Sequence, residues 1–70
     1  PGLAVAAPAR AALTPRELEI ARMAAAGLAN KDIATRLYLS HRTVENKLHA
    51  VYEKLGVEGR AALAEALEGA

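Results

Sequence analysis

Cysteine is absent from these 70 residues, and so are phenylalanine and tryptophan. The first absence excludes disulfides, thiolate metal sites and a cysteine nucleophile. The second leaves two tyrosines as the only aromatic residues, so the core must be aliphatic and alanine-rich, which suits closely packed helices. Long hydrophobic runs are also missing: no stretch approaches the roughly 18 apolar residues of a membrane helix. The N-terminus has neither the basic start nor the long apolar block of a signal peptide. The chain therefore reads as soluble, intracellular and cytoplasmic, with no membrane partner. It begins at Pro1 rather than Met, which reads as a piece of something longer. Strong charge of one sign is lacking too. A net charge of +1 removes the simplest electrostatic footprint of a nucleic-acid binder. What remains is one small domain, 53% hydrophobic, whose core is marginal at this size without help from a partner or a second copy.

The distribution of charge says more than its sum. Lys31, Arg36, Arg42, Lys47 and Lys54 lie in the middle of the chain with His41 and His49, opposed by Asp32, Glu45 and Glu53. Other acidic residues gather nearer the ends, as Glu17 and Glu19 and then Glu58, Glu65 and Glu68. Residues 1–12, with Pro1, Pro8 and many alanines but no periodic apolar face, read as a linker or disordered tail. Residues 13–68 read as the folded domain, with no repeat and no strand signal.

Helix signals punctuate that domain. Thr14 is a natural N-cap, Pro15 fits the first helical position, Glu17 completes a Thr-x-x-Glu capping box, and Leu13 and Leu18 are placed for a hydrophobic staple. Leu18, Ile20, Ala21, Ala24 and Ala25 follow helical spacing until Gly27 stops the helix. A second, short helix is predicted over about 30–38, with Asn30 as its cap and Ile33, Ala34, Leu37 and Tyr38 on its apolar face. Ser40 caps a third helix running to about 55, whose buried stripe is Val44, Leu48, Val51, Tyr52 and Leu55. Gly56 ends it and Val57 packs back. A fourth helix over about 59–67 buries Leu63 and Leu67. Both tyrosines are expected at the edge of the core with wet hydroxyls. The fold class is all-α: a compact four-helix domain containing a helix-turn-helix, without a wing.

The connection Leu39-Ser40-His41 is too short for anything but a sharp corner, and two helices meeting at such a corner form a helix-turn-helix whose second helix fits a DNA major groove. The third helix has the required division, apolar on one side and polar on the other. Arg42 can hold a phosphate or donate to guanine, and Thr43 can contact a phosphate or a thymine methyl. Asn46 can pair bidentately with adenine, Glu45 can accept from cytosine, and His49 can donate to a base or a phosphate. Lys31, Lys47 and Lys54 suit backbone contacts, which orient a protein without reading sequence. Exposed helix N-terminal amides near Lys31 and Arg42 add phosphate sites.

The segments LTPRELE, AAGLANKDIATRLYLSHRTVENKL and VYEKLGV, in that order and spacing, resemble the C-terminal DNA-binding domain of LuxR-type (NarL/FixJ, GerE) bacterial transcription regulators, most of all actinobacterial members. The resemblance implies four helices, the third lying in the major groove. By position it implies base contacts from Glu45, Asn46 and His49, and phosphate contacts from Lys31, Arg42, Thr43 and Lys47. It also implies a homodimer on DNA through the fourth helix, with Leu63, Ala66 and Leu67 read either as that surface or as plain core. Regulation would come from a separate N-terminal module. RNA polymerase is a further possible partner; no cofactor or metal is implied. The chain departs from the family pattern at Ala29, where Ser usually caps the second helix, and at Glu45, where Lys is common.

Other readings stand beside this one. The basic residues can be an ordinary solvated face, and Glu45 can pair along its helix with His49 or Lys47. His41, Glu45 and His49 are too spread along one helix for a preformed metal site. No nucleophile–base set or glycine-rich phosphate loop supports an enzyme. A protein-interaction module that kept this fold, or a domain like region 4 of a sigma factor contacting RNA polymerase, remains an alternative.

Overall fold

The computed structural model describes residues 13–69, so the tail assigned to residues 1–12 lies outside the described residues. The chain forms α1 (Pro15–Ala25), α2 (Asn30–Leu37), α3 (His41–Leu55), a single 3₁₀ turn (Arg60–Ala62) and α4 (Leu63–Gly69). No strand occurs among the described residues.

The start of α1 follows its sequence signals closely. Thr14 Oγ1 accepts from the Glu17 amide at 3.1 Å, and the Thr14 amide donates to Glu17 Oε1 at 2.9 Å, closing the capping box. Ser40 caps α3 in the same manner, accepting from the Thr43 amide at 3.0 Å and donating to Thr43 Oγ1 at 2.8 Å. The start of α2 differs from expectation. Ala29 occupies the cap position in extended backbone, with no side-chain bond. Asn30 lies inside the helix, and its side-chain oxygen accepts from Arg60 Nη2 instead. Arg60 is the reason: its other nitrogen, Nη1, donates to Ala24 O at 3.2 Å and Leu28 O at 2.5 Å. One guanidinium from the chain's last quarter thus ties together the end of α1, the following loop and the start of α2.

Three helices end alike. After α1 the amides of Gly27 and Leu28 donate to Ala24 O and Met23 O, after α2 those of Tyr38 and Leu39 to Thr35 O and Ala34 O, and after α3 those of Gly56 and Val57 to Glu53 O and Tyr52 O. This paired pattern needs a left-handed residue at its centre. Gly27 and Gly56 supply it at φ +103° and +70°, and Tyr38 supplies it at +59°. For a tyrosine that conformation costs about 1–2 kcal/mol. The left-handed turn also swings the side chain out of the apolar row that periodicity assigned it, so Tyr38 is 94% exposed rather than at the edge of the core.

The core is aliphatic throughout. Ile20, Ala21, Ile33, Val44, Val51 and Leu63 are fully enclosed, with Leu13, Ala24, Ala34, Leu48 and Leu67 completing the cluster. Each large aliphatic side chain there contributes about 1.5–3 kcal/mol by leaving water. Leu63 and Leu67 point inward against α1, which corrects their reading as dimer surface: a side chain at 0% or 8% exposure is not available to a second copy. Ala66 is half-buried beside them, and the outer side of this segment carries Ala61, Ala64, Glu65 and Glu68.

Candidate nucleic-acid interface

Between Leu37 and His41 only Tyr38, Leu39 and Ser40 separate α2 from α3. Leu39 is half-buried and packs against the core, which pins the corner from inside. Val44, Leu48 and Val51, buried at 4-3 spacing, hold the inner side of α3. Periodicity then forces Arg42, Asn46, His49 and Glu53 onto the opposite side, and all four are exposed. A polar ridge therefore projects from the scaffold, beginning at the corner.

The sequence-predicted site residues fall into separate groups on this frame. Asn46 and Arg42 are exposed and form no hydrogen bond or ion pair through their side chains among the described residues. The same holds for Lys31 in the first turn of α2 and for Arg36 in its last turn, a cation that sequence reasoning counted but did not assign to the site. Thr43 is half-buried, its hydroxyl bonded to Ser40. Glu45 pairs along the helix, but not with His49 or Lys47. Its Oε2 lies 3.4 Å from Nδ1 of His41, one turn back. His49 makes the next such contact, with Glu53 at 3.4 Å. The two histidines thus serve different carboxylates, and among the described residues no cluster of three or more metal-ligating side chains forms.

Lys54 belongs elsewhere. Its ammonium lies 2.8 Å from Oε1 of Glu17 on α1. Glu17 is buried, at 6% exposure, and the hydrogen bond from Lys54 holds its carboxyl below the ordinary carboxylate range. The Thr14 amide and the positive charge of Lys47 help, while burial opposes them. A buried carboxylate needs such a partner, so Lys54 fixes α3 onto α1 instead of reaching outward. Lys47, half-buried on the same margin, feels Glu17 only at a distance and keeps its ammonium clear of a direct bond.

The arrangement can do one kind of chemistry well. A rigid helix presents an amide side chain flanked by an arginine, a histidine and two carboxylates, and unpaired cations line the helix starts on either side of the corner. Those groups suit hydrogen bonding to base edges and to phosphates.

Comparison with known proteins agrees with this geometry. The family model "Bacterial regulatory proteins, luxR family" matches residues 11–67. The chain is 51% identical over 51 residues, 73% of its length, to "Putative HTH-type transcriptional regulator Rv0890c" of Mycobacterium tuberculosis, of which it covers 6%. It is 45% identical over 56 residues to "Uncharacterized transcriptional regulatory protein YvfU" of Bacillus subtilis, covering 80% of this chain and 28% of that one. It is 43% identical over 63 residues to "Probable transcriptional regulatory protein NarL" of Mycobacterium tuberculosis, covering 89% and 29%. The chain therefore spans less than a third of each of these relatives. No solved structure matches it.

Proposed function

The chain belongs to the luxR family of bacterial regulatory proteins as a DNA-binding helix-turn-helix domain, and on that premise we propose how it engages its target and within what assembly. Residues 13–68 form the output module of a longer transcription regulator. The module inserts α3 into the major groove of double-stranded DNA. Asn46 reads a base edge, His49 and Glu45 read its neighbours, and Lys31, Arg42, Thr43 and Lys47 hold phosphates. The observation that carries this reading is that Asn46 and Arg42, on a ridge held from beneath by buried Val44, Leu48 and Val51, and Lys31, in the first turn of α2, have no side-chain partner among the described residues. Lys54 leaves the proposed phosphate set because Glu17 engages it.

Glu45 enters with a qualification in its chemistry. His41 lies 3.4 Å from Glu45 Oε2, and the carboxylate's other oxygen accepts from a cytosine amino group. The domain acts without a cofactor and as a binding module, not an enzyme. The open groove of about 450 Å³ along α1 is lined by Pro15, Leu18, Glu19, Arg22 and Met23, which offers no nucleophile with a base beside it. A bacterial DNA target places the regulator in the cytoplasm. Two copies bind as a homodimer through the outer side of the 3₁₀ turn and α4, where Ala61, Ala64 and Glu65 with half-buried Ala66 replace Leu63 and Leu67 as the contact. RNA polymerase is the partner of the assembled complex. Family membership favours this output domain over region 4 of a sigma factor.

Selection on a randomised duplex library, at low and near-physiological salt, tests the reading. A short enriched motif is expected, repeated about one helical turn apart if two copies bind. Three cations on phosphates predict a log–log salt slope of about −2.7 per copy. Asn46→Ala is expected to relax preference at one base pair by about 1–3 kcal/mol, and Arg42→Ala to weaken all duplexes and flatten the slope by about 0.9. Absence of any binding at low salt would sink the proposal in favour of a protein-interaction module.

A further inference from the structure

Tyr38 stands apart twice among the described residues. It is the only non-glycine residue with a positive φ, and the only large hydrophobic side chain left exposed. Gly27 and Gly56 fill the equivalent place after α1 and α3, so the fold asks for glycine here and gives no packing reason for tyrosine. A residue that holds a strained backbone conformation while its large side chain is left almost wholly exposed points to a contact made with something else.

The surroundings say what that something is. Tyr38 precedes Ser40, the cap of α3, by two residues, so their Cα atoms lie within about 7.6 Å. A helix entering a groove roughly 12 Å wide near its N-terminus brings the preceding corner to the sugar–phosphate rim. The exposed side chains nearest in sequence on α2 and the first turn of α3 are Asp32, Thr35, Arg36, His41 and Arg42, all polar. A protein partner burying a tyrosine would want apolar neighbours at the centre of its contact. A phosphate wants a hydroxyl donor flanked by unpaired cations, and neither Arg36 nor Arg42 is paired among the described residues.

We propose that Tyr38 is a backbone anchor for DNA, its ring lying along the rim of the groove that α3 enters and its hydroxyl donating to a phosphate. The inference rests on the DNA-binding reading above and adds a positioning residue to it. Because the hydroxyl is neutral and meets the backbone, it contributes to affinity without base preference and without counterion release.

The test compares the 70-residue chain with Tyr38→Gly and Tyr38→Phe by thermal unfolding and by fluorescence anisotropy on the selected duplex and a scrambled one, across a salt series. Tyr38→Gly sheds the left-handed strain and is expected to raise Tm by about 4–8 °C, which also proves that it folds. The same variant is expected to bind both duplexes about 3–10-fold more weakly, with the salt slope unchanged. Tyr38→Phe keeps the strain and is expected to lose about 3-fold or more in affinity without the gain in Tm. A Tyr38→Gly variant that binds like the parent chain overturns the inference. So does a loss seen on the selected duplex but not on the scrambled one, which would make Tyr38 a base reader. If the parent chain binds no duplex at either salt, the DNA-binding reading fails and takes this inference with it. If the parent binds and both variants match it, only the inference fails.

Discussion

Arg60 and Arg42 carry the same charge and are treated in opposite ways. Arg60 reaches three acceptors on α1, the loop and α2, while Arg42 reaches none among the described residues. Lys54 and Lys31 repeat the contrast, one bonded to a buried carboxylate and the other without a side-chain partner among the described residues. The scaffold side, built on α1 and α4, uses charge to fix helices relative to one another. On the outer side of α2 and α3 the carboxylates of Glu45 and Glu53 face histidines, while Lys31, Arg36 and Arg42 have no side-chain partner among the described residues. In a domain with a net charge of only +1, that division carries more functional information than the total. Arg22 on α1 is likewise exposed with no side-chain partner among the described residues, so the lack of a partner carries the functional argument only together with position on the α2–α3 side.

The largest test of the division falls on the scaffold. Leu63→Ala is expected to destabilise the chain by about 2–5 kcal/mol through lost burial and a cavity beneath α4. Thermal unfolding and sedimentation together decide the matter: a surface dimer residue would change association and leave the Tm of dilute monomer alone. Next comes Arg60→Ala, which strips two part-buried carbonyls and Asn30 of their donor and should cost about 2–3 kcal/mol. Arg60→Lys should recover little of this, since one ammonium cannot reproduce the planar fork. Arg42→Ala, the matching change on the outer side, is expected to hold stability within about 0.5 kcal/mol while weakening DNA binding. Equal effects of the two arginines on Tm would erase the distinction.

Glu17 sharpens the same comparison through pH. Lys54 and the Thr14 amide stabilise its ionised form in the folded state and lower its pKa, so the unfolded chain binds the proton more readily. The contribution is therefore present above the ordinary carboxylate range and disappears as pH falls through the lowered folded value. Glu17→Gln keeps an oxygen for the capping box and removes only the charge facing Lys54. A loss of about 1–2 kcal/mol at neutral pH is expected, with the two stability curves converging in acid. Parallel curves from neutral to acidic pH would mean the charge pair contributes nothing.

What could be read in the sequence follows how far each signal reaches along the chain. The capping box at Thr14 and Glu17, the cap at Ser40, the stops at Gly27 and Gly56 and the stripe Val44, Leu48 and Val51 are all local, and periodicity and cap chemistry expose them. Arg60 was invisible because its acceptors lie 30 to 36 residues upstream, and no local pattern announces a long-range donor. Lys54 looked like a phosphate contact for the same reason, its partner being 37 residues away. Counting apolar positions puts Tyr38 at the edge of the core because it assumes that the helix continues, and a left-handed residue without glycine gives no warning in the letters LYLS. Leu63 and Leu67 are correctly spaced for a buried face, but spacing alone does not say whether a neighbour in the same chain or a second copy covers it.

Ala29 offers the mildest test. Its backbone, at φ −72° and ψ 156°, already has the extended geometry of a helix cap, and only the side-chain oxygen is missing. Asn30 cannot substitute, because it lies one position too far along and Arg60 occupies its oxygen. Ala29→Ser should therefore satisfy one free amide in the first turn of α2 and stabilise the chain by about 1 kcal/mol. The Tm should rise by about 4–8 °C for a domain of this size. Amide exchange in α2 should slow, with little change in α1, because the gain arises at that helix's own first turn. Ala29 is exposed, so the added hydroxyl displaces no packing, and a fall in Tm would show that the first turn of α2 is already satisfied by other means. Improved order at Lys31 should leave base preference at Asn46 untouched, since α3 draws its position from Glu17, Ser40 and the core instead.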